Sequence, residues 1–349
     1  MTHRAGFKAR PFSIPDEVYD ILSEMHTLPK SLHIGVVRGG PSPEYDVSLK
    51  TGANILDSLN ESHKPIDIFI SKDGTWHMNG IERAPERIFK HVDVVFNALH
   101  GEFGEDGKIQ EILNRHGVKY TGSEKYPSAM AMNKIHTKER AKALGIKTPL
   151  YVAVRRSDSL MQKAQEAVNT IPYPLIVKPA NGGSSLGLYK AENFADLLSG
   201  LENILQSYDT AIIEECIAGR EASCGVIDNF REKSIYVLPI VEVVPPPGKQ
   251  FDYDAKYSGE SQEICPTTFS DADKREIEKM SAQIHKELGL RHYSRSDFIV
   301  SPRRGIYFLE VNSLPGLTKK SIFPKALDAV GIKMKEFLHH VVDLALNKK

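Results

Sequence analysis

Short apolar strands alternate with helical segments from residue 32 onward, and this alternation constrains the fold more than any other feature of the 349-residue chain. Apolar runs at 32–37, 66–70 and 92–96 predict strands, and a helix from about Asp46 to Leu59 lies between the first two. Parallel neighbouring strands need a crossover connection, which a helix usually supplies. The sequence therefore predicts a small open parallel sheet, with ligands at the carboxyl ends of its strands.

Two polar loops follow predicted strands at that edge, at residues 39–46 and 97–107. The first contains the pair Gly39-Gly40 but lacks the G-x-G-x-x-G spacing, which argues against a dinucleotide-dependent dehydrogenase. The second carries His100 and several carboxylates between glycines. Polar loops at strand ends are often functional, and the alternative is an ordinary solvated turn.

Charge and cysteine content narrow the class of protein. The chain has 45 basic and 45 acidic residues, so its overall charge does not favour nucleic acid or a membrane surface as a partner, and a small molecule is favoured instead. Its three cysteines have no metal-ligand spacing and fit a reducing compartment. No apolar run is long enough to span a bilayer, and no export signal follows the basic start. We expect a cytoplasmic protein.

A strand at 297–300, a turn at 301–305 and a returning strand at 306–312 predict a hairpin that carries oxygen ligands. Side chains alternate along a strand, so Glu310 and Asn312 share a face, and Asp297 can reach them from the partner strand. Two carboxylates and an amide oxygen suit Mg2+, which usually shares its coordination shell with substrate phosphates. A polar sheet edge is the alternative for this pattern alone.

A strand at 173–179 that contains Lys178 leads into a Gly/Ser-rich segment at 180–188. Its backbone N–H groups and hydroxyls could close over phosphate oxygens as a flap, although the chain contains no Walker A sequence and a plain turn is the alternative. A helix containing Lys134 precedes this segment and ends near Leu144. Taken alone, the Gly/Ser-rich segment is more typical of a plain turn between two strands than of a phosphate-binding flap.

Two further segments suit a nucleotide site. The strand at 211–217 contains acidic residues and is followed by Glu221, so that a carboxylate could bind ribose hydroxyls. The long segment between Pro245 and Pro266 is rich in charge and tyrosine, which is typical of a lid.

Taken in chain order, these features resemble the ATP-grasp superfamily and, within it, the D-alanine–D-alanine ligase family, from about Leu32 to the C-terminal helices. The residues that carry the resemblance are GGPSPEYDVS at 39–48, HGEFGEDG at 100–107, YTGS at 120–123, IVKP at 176–179 with the following flap, DAKY at 254–257, SRSD at 294–297 and EVNSLPG at 310–316.

The resemblance implies an ATP-grasp fold of mixed α/β and α+β class, in which two α+β subdomains enclose a nucleotide after a Rossmann-like open parallel-sheet domain. We predict a helical N-terminal extension at 1–30 and a Rossmann-like substrate domain at 31–124. An ATP-grasp small subdomain with the Gly/Ser flap follows at 125–214, and a C-terminal subdomain with the metal site and the tyrosine-containing loop at 215–349.

The implied activity is the ATP-dependent joining of two D-alanines through a D-alanyl phosphate, for peptidoglycan precursor synthesis. The resemblance implies ATP and two Mg2+ ions as cofactors, with Mn2+ as a substitute and a monovalent cation left open, and a homodimer. One alternative is a ligase of the same superfamily for D-lactate, D-serine or another amino-acid pair. The other is a non-catalytic nucleotide-binding relative, against which the lysines and the metal trio argue.

The resemblance also assigns roles to individual residues. Nucleotide phosphates would contact Lys134, Lys178 and Ser184, while adenine and ribose would contact Glu214, Glu215, Ile217 and Glu221, and the metal ligands would be Asp297, Glu310 and Asn312. Glu44, linked with Ser185 and Tyr257, would bind the ammonium of the first D-alanine, close to His100. Arg295 and the Gly316 N–H would stabilise oxyanions. The second substrate would be placed by Lys256, Ser321 and Ile322. Tyr257 favours D-alanine over D-lactate as that second substrate.

Overall fold

The structure is a computed structural model that describes residues 31–182, 187–244 and 262–347. The extension predicted at 1–30 lies outside the described residues, as do Ser184, Ser185, Lys256 and Tyr257. What the sequence predicts for these positions stays a prediction.

The first sheet is mixed, with the order β4-β3-β2-β1-β5. Its strands are β1 (His33–Gly39), β2 (Lys64–Ile70), β3 (Trp76–Met78), β4 (Ile81–Glu82) and β5 (Val94–Asn97). Strand β1 pairs in parallel with β2 and β5, as predicted, whereas β3 and β4 add an antiparallel edge. That edge follows from Asn79-Gly80, whose φ angles of 50° and 80° suit a tight two-residue hairpin turn.

Helices cover this sheet and connect it to the next segment. They are α1 (Tyr45–Leu59), α2 (Pro85–Ile88), a short 3-10 helix (Phe89–His91) and α3 (Lys108–Arg115). Helix α1 buries Ile55 and Leu59 at helical spacing, and both side chains join the core formed by Val36 and Phe96 of the sheet. The start of α1 is thereby fixed at the carboxyl end of β1, where the first polar loop was predicted.

The middle segment forms an antiparallel sheet with the order β6-β9-β7-β8. Its elements are α4 (Lys125–Met132), α5 (Lys134–Ala143), β6 (Tyr151–Arg155), α6 (Leu160–Thr170), β7 (Leu175–Pro179), β8 (Tyr189–Ala191), α7 (Phe194–Ser207) and β9 (Thr210–Glu215). Leu197, Leu201 and Ile204 of α7 recur at helical spacing and pack with Val177 and Ile213 of the sheet. One face of this sheet is thereby buried.

The third sheet has the order β13-β12-β10-β14-β15, with β11 paired to β10. Its elements are β10 (Arg220–Phe230), β11 (Lys233–Val237), β12 (Val241–Val244), β13 (Gln262–Ile264), α8 (Asp271–Glu287), β14 (Tyr293–Ser301), β15 (Gly305–Asn312), α9 (Ile322–Ala329) and α10 (Met334–Leu346). Ile277 and Ile284 of α8 pack with Phe298 and Phe308 of the hairpin. The hairpin that carries the predicted metal ligands therefore rests on a buried apolar layer.

One apolar core joins the first sheet to the C-terminal helices. It contains Ile34 and Phe96 together with Phe323 of α9 and Phe337 of α10. The mixed α/β and α+β class predicted from the sequence is confirmed, whereas the domain boundaries stay predictions. Within the described part of the chain, every helix is too short or too polar to cross a membrane.

Candidate active site

The hairpin of β14 and β15 brings the predicted metal ligands together. Asp297 lies directly opposite Glu310, and Arg295 lies opposite Asn312, with a bulge after Asp297. Asn312 Nδ2 donates to Asp297 Oδ2 at 3.1 Å, which confirms that the two strands place these side chains side by side. The hairpin predicted from the sequence is confirmed, although β14 begins at Tyr293.

Asp297 is held by several donors at once. Arg295 donates to both of its oxygens, from Nε at 2.8 Å and from Nη2 at 2.7 Å, and Ser223 Oγ donates at 2.6 Å. A two-pronged guanidinium–carboxylate contact fixes the relative orientation of both groups. The structure shows Arg295 in an ion pair with Asp297, and its role at an oxyanion stays a prediction. Ser223 was not predicted from the sequence.

The oxygen atoms of Asp297, Glu310 and Asn312 can supply part of the coordination shell of Mg2+. Asp297 and Glu310 are 15% and 19% exposed, so both carboxylates are partly open to solvent, and Glu310 and Asn312 line a small cleft. Among the described residues, no group of three or more His, Cys, Asp or Glu side chains could hold a metal by itself. Mg2+ commonly uses one or two carboxylates and takes its other oxygens from phosphates and water. Two carboxylates and an amide therefore suit an ion that is shared with a nucleotide.

Lys134, the first residue of α5, lies next to this trio. Its Nζ is 3.2 Å from Glu310 Oε2 and donates to the Gly182 carbonyl at 2.6 Å. Asn133 begins the helix by accepting a hydrogen bond from His136 N at 3.1 Å. A small cleft is lined by Lys134, Gly182 and Glu310, and a cavity of about 460 Å³ lined by Asn133, His136 and other residues opens beside it. Lys134 can therefore reach both a metal-bound phosphate and the segment that precedes the flap.

Lys178 contacts Glu214, which lies diagonally across from it on β9. Lys178 Nζ is 2.7 Å from Glu214 Oε2, and Lys138 Nζ is 2.6 Å from Glu214 Oε1. Burial alone would raise the pKa of Glu214, but the two ammonium groups outweigh it and hold this pKa below its ordinary value. Burial alone would lower the pKa of Lys178, and the carboxylates of Glu214 and Glu310 raise it instead. The carboxylate and the Lys178 ammonium are both charged at neutral pH.

Sequence reasoning missed Lys138. Its side chain is fully buried, and burial lowers its pKa to about 8 although Glu214 favours the charged form. The signal was present in the sequence, because Lys134 and Lys138 are four residues apart on one helix and therefore share a face.

The other residues predicted to hold adenine and ribose lie along β9 and β10. Glu215 forms an ion pair with Arg304 in the hairpin turn, a partner that the sequence did not indicate. Ile217 is buried, and Glu221 is close enough to Lys178 to raise its pKa. Glu214 and Glu221 thus share the surroundings of Lys178, whereas the carboxylate of Glu215 is directed to Arg304.

His100 lies on the loop at 97–107, close to the end of the hairpin. It is buried, its Nε2 is 2.9 Å from Thr51 Oγ1, and burial lowers its pKa to about 4, although a hydrogen bond with the Leu314 backbone opposes this. Arg295 is near enough to lower the same pKa further. His100 is therefore neutral at neutral pH.

Glu105 ties the same loop to the segment that follows Asn312. One of its oxygens accepts from Leu314 N at 3.0 Å and from Ser313 Oγ at 3.2 Å, and the other accepts from Gly101 N at 2.9 Å. These contacts hold the predicted substrate loop against the predicted oxyanion segment.

Glu44 is buried at the start of α1 and lies against Gly101. Gly101 has a φ of 69°, and a Cβ there would collide with Glu44 Oε2 and Ser42 Oγ. Glycine at this position is what lets the Glu44 carboxylate lie against the His100 loop. The structure thus brings Glu44 and His100 into one neighbourhood.

Gly316, Ser321 and Ile322 lie on the segment that leads into α9. A Cβ on Gly316 would stand 3.0 Å from Ser321 Oγ, which accepts from Thr318 N at 3.2 Å. Asn54 Nδ2 donates to the Leu317 carbonyl at 2.7 Å and so ties this segment to α1. Ile322 is buried in the apolar core. The backbone near Gly316 is therefore held in place from two sides.

Comparison with known proteins decides the family. Residues 33–88 and 80–123 match the model of the D-ala D-ala ligase N-terminus, and residues 141–343 match that of the D-ala D-ala ligase C-terminus. The chain belongs to the D-alanine–D-alanine ligase family. A D-alanine–D-alanine ligase of Halalkalibacterium halodurans is 36% identical over 321 residues, which cover 91% of this chain and 100% of that protein.

Solved structures of the ligase family share the fold. The VanG D-Ala:D-Ser ligase from Enterococcus faecalis matches with a TM-score of 0.79 and 27% identity, covering 90% of this chain and 99% of its own. The D-alanyl-alanine synthetase A from Vibrio cholerae matches with a TM-score of 0.79 and 26% identity, covering 92% and 100%. The resemblance and the ATP-grasp fold predicted from the sequence are thereby confirmed. The roles of individual residues stay predictions.

Proposed function

We propose that this chain is an ATP-dependent ligase that joins two D-alanine molecules through a D-alanyl phosphate, for the synthesis of peptidoglycan precursors. Membership of the ligase family supports the reaction. The observation in the structure that supports the proposal is the contact of Lys134 with Glu310 at 3.2 Å, because it joins the lysine proposed to bind phosphate to a carboxylate proposed to bind metal. A non-catalytic nucleotide-binding protein would have little need for that pairing.

The chemistry requires both kinds of charge. A carboxylate is a poor electrophile, so phosphorylation by ATP must precede attack by an amine. In the proposal, Lys134 and Lys178 bind the phosphates, and Asp297, Glu310 and Asn312 hold two Mg2+ ions, for which Mn2+ can substitute. The bound ions would offset charge on the phosphoryl group, as in other phosphoryl transfers. Glu214, Glu215, Ile217 and Glu221 would bind adenine and ribose.

The first D-alanine would lie between the substrate loop and the end of the hairpin. Glu44 would bind its ammonium, with Ser185 and Tyr257 as partners, and neutral His100 would lie close to it. Arg295 and the Gly316 N–H would stabilise the oxyanions that form when the acid is phosphorylated and when the amine attacks. Ser184 would cover the phosphates, and water must be excluded because it would hydrolyse the acyl phosphate.

The second substrate would be placed by Lys256, Ser321 and Ile322. D-Serine as this substrate is a second candidate function, favoured by the likeness to a D-Ala:D-Ser ligase at a TM-score of 0.79. We also propose that the chain works in the cytoplasm. We propose in addition that it forms a homodimer, which light scattering on the purified protein would test.

A product assay tests the proposal and separates the two candidates. The protein is incubated with ATP, Mg2+ and D-alanine, D-serine or D-lactate, alone and in pairs, and products are identified by mass spectrometry. We expect phosphate release that depends on D-alanine, with formation of D-alanyl-D-alanine. Phosphate release that ignores D-alanine but responds to another amino acid would reject D-alanine as the substrate.

A further inference from the structure

Lys138 is a fully buried lysine beside the proposed phosphate site. Its side chain is 0% exposed, and Glu214 is 3% exposed. A buried charge is strongly destabilising unless it is paired, so this lysine must have a partner in the fold. The Glu214 carboxylate lies 2.6 Å away and supplies it.

Glu214 already has a second partner. Lys178 Nζ lies 2.7 Å from the other carboxylate oxygen, so one buried carboxylate is shared by two ammonium groups. Glu310 and Glu221 also lie close enough to Lys178 to raise its pKa. Lys178 is the more exposed of the two lysines, at 11% against 0%, so it is the ammonium group that can face the cleft.

The shared carboxylate poses a problem for phosphate binding. If Lys178 is to contact a phosphate, it must weaken its contact with Glu214, and a buried carboxylate left with no partner would resist that change. Lys138 removes the difficulty, because Glu214 keeps one ammonium partner when Lys178 turns to the ligand. Lys138 itself is too buried to reach the ligand.

We infer that Lys138 is a positioning residue that neutralises Glu214 and so frees Lys178 to bind nucleotide phosphate. The inference deepens the proposed function and rests on its nucleotide site. It assigns Lys134 and Lys138, one turn apart on α5, to different tasks: the first contacts the phosphate directly, and the second acts only through Glu214 and Lys178.

Binding measurements on a set of variants test the inference. Calorimetry would give the Kd of the Mg2+ complex of a non-hydrolysable ATP analogue for the wild type and for Lys138→Met. We expect Kd to rise roughly tenfold to a hundredfold, the range for loss of a charge-assisted contact. In turnover, the KM for ATP should rise while the KM for D-alanine stays within about twofold, a split that general loosening of the fold would not give.

The same substitution in a Glu214→Gln variant separates a role of Lys138 in positioning Lys178 from a role in the stability of the fold. In Glu214→Gln the carboxylate that Lys138 shares with Lys178 is gone, so adding Lys138→Met should change the Kd by less than about twofold relative to Glu214→Gln alone. Lys142→Met is the matched control: Lys142 is one turn further along α5, is 46% exposed and pairs with Glu139. It should bind the analogue like the wild type.

Three results would overturn the inference. If Lys138→Met bound the analogue with the Kd of the wild type, Lys178 would bind phosphate without Lys138. If Lys138→Met raised the Kd in the Glu214→Gln variant as much as in the wild type, Lys138 would act independently of Glu214. If the wild type bound no nucleotide, the proposed function would fall together with the inference. If the wild type bound the analogue and ligated D-alanine while Lys138→Met matched it, the inference alone would fall.

Discussion

The end of the β14–β15 hairpin and the middle sheet each hold a cluster of opposite charges, but the charges are paired differently. At the hairpin each carboxylate has a cation of its own, Arg295 for Asp297 and Lys134 for Glu310. In the middle sheet, Lys138 and Lys178 share the carboxylate of Glu214. The hairpin therefore offers carboxylate oxygens that suit a metal cation, and the middle sheet offers an ammonium group that suits a phosphate, which together suit a metal–nucleotide complex.

The clusters also differ in exposure. Asp297 and Glu310 are 15% and 19% exposed, whereas Lys138 and Glu214 are 0% and 3% exposed. Hydrogen bonds and ion pairs in a buried cluster fix side chains more strongly than those in contact with water. The hairpin cluster is therefore expected to act by direct contact with the ligand, and the buried cluster in part through Lys178.

The largest effect is expected from Glu310→Gln, which removes a carboxylate from the open cluster. We expect turnover to fall by about a thousandfold or more, because the metal-binding charge is lost. The fold should survive, since the residue faces the cleft. The effect is measured as phosphate release from ATP in the presence of D-alanine. The control is Glu276→Gln, which changes an exposed glutamate on α8. Wild-type turnover in Glu310→Gln would remove Glu310 from the metal site.

Arg295→Ala removes the partner cation of Asp297 from the same cluster. Turnover should fall roughly a hundredfold, the scale of a lost oxyanion donor. Arg295→Lys should recover little, because an ammonium cannot reproduce the two-pronged contact with Asp297. The turnover number at saturating substrates is measured, with thermal unfolding as a check on the fold. Full recovery in Arg295→Lys would show that charge alone matters here.

Acidification should weaken the fold, because two buried neutral histidines are harder to protonate in the folded state than in the unfolded state. Burial lowers the pKa of His100 to about 4 and of His292 to about 3, from 6.5. A depressed histidine pKa contributes stability that is complete above about pH 6.5 and is lost as pH falls towards the folded-state pKa. We expect each to remove about 2 kcal/mol between pH 7 and pH 5.

Urea unfolding at several pH values measures this loss, and His292→Asn tests its source. Asparagine tolerates the φ of 69° at this position and can replace His292 Nδ1 as acceptor of the hydrogen bond from Gly122 N. The pH dependence should become shallower in this variant. If the free energy of unfolding of His292→Asn depended on pH as steeply as that of the wild type, the loss of stability in acid would come from the paired carboxylates of the two clusters. The two clusters could then not be compared at a fixed state of charge.

Tyr257→Phe should have the smallest effect, a modest shift in product ratio. Tyr257 lies outside the described residues, and the proposal links its hydroxyl with Glu44. Loss of that hydroxyl should favour a hydroxy-acid acceptor such as D-lactate. The variant and the wild type are each incubated with ATP, D-alanine and D-lactate, so that D-alanine and D-lactate compete as the second substrate. The ratio of D-alanyl-D-alanine to D-alanyl-D-lactate is then measured. An unchanged ratio would reject this role for Tyr257.

Much of the local structure followed from the sequence. The hairpin was predicted because strand periodicity and a turn rich in proline, arginine and glycine are local signals, and Asp297, Glu310 and Asn312 meet as expected. The β3–β4 hairpin was missed, although Asn79-Gly80 is a strong turn signal, because its strands are only three and two residues long.

Contacts between distant segments could not be predicted in this way. Nothing local to Glu215 indicates Arg304 as its partner, and nothing local to His100 indicates that Thr51 and Leu314 enclose it. Such contacts depend on how the three sheets pack, and the pKa of His100 is low mainly because that packing removes it from water.

The sequence alone determined the strands and the helix that carry the candidate metal and phosphate ligands, the face that these ligands share on the hairpin, and the family, because these depend on short-range periodicity and on motifs in fixed order. Tertiary structure decided which carboxylate each lysine meets: Glu310 for Lys134, and Glu214 for Lys138 and Lys178. The physical reason is that charge pairing and desolvation act through space between segments far apart in the chain, so the pairing of charges within each cluster is fixed only when the sheets are packed together.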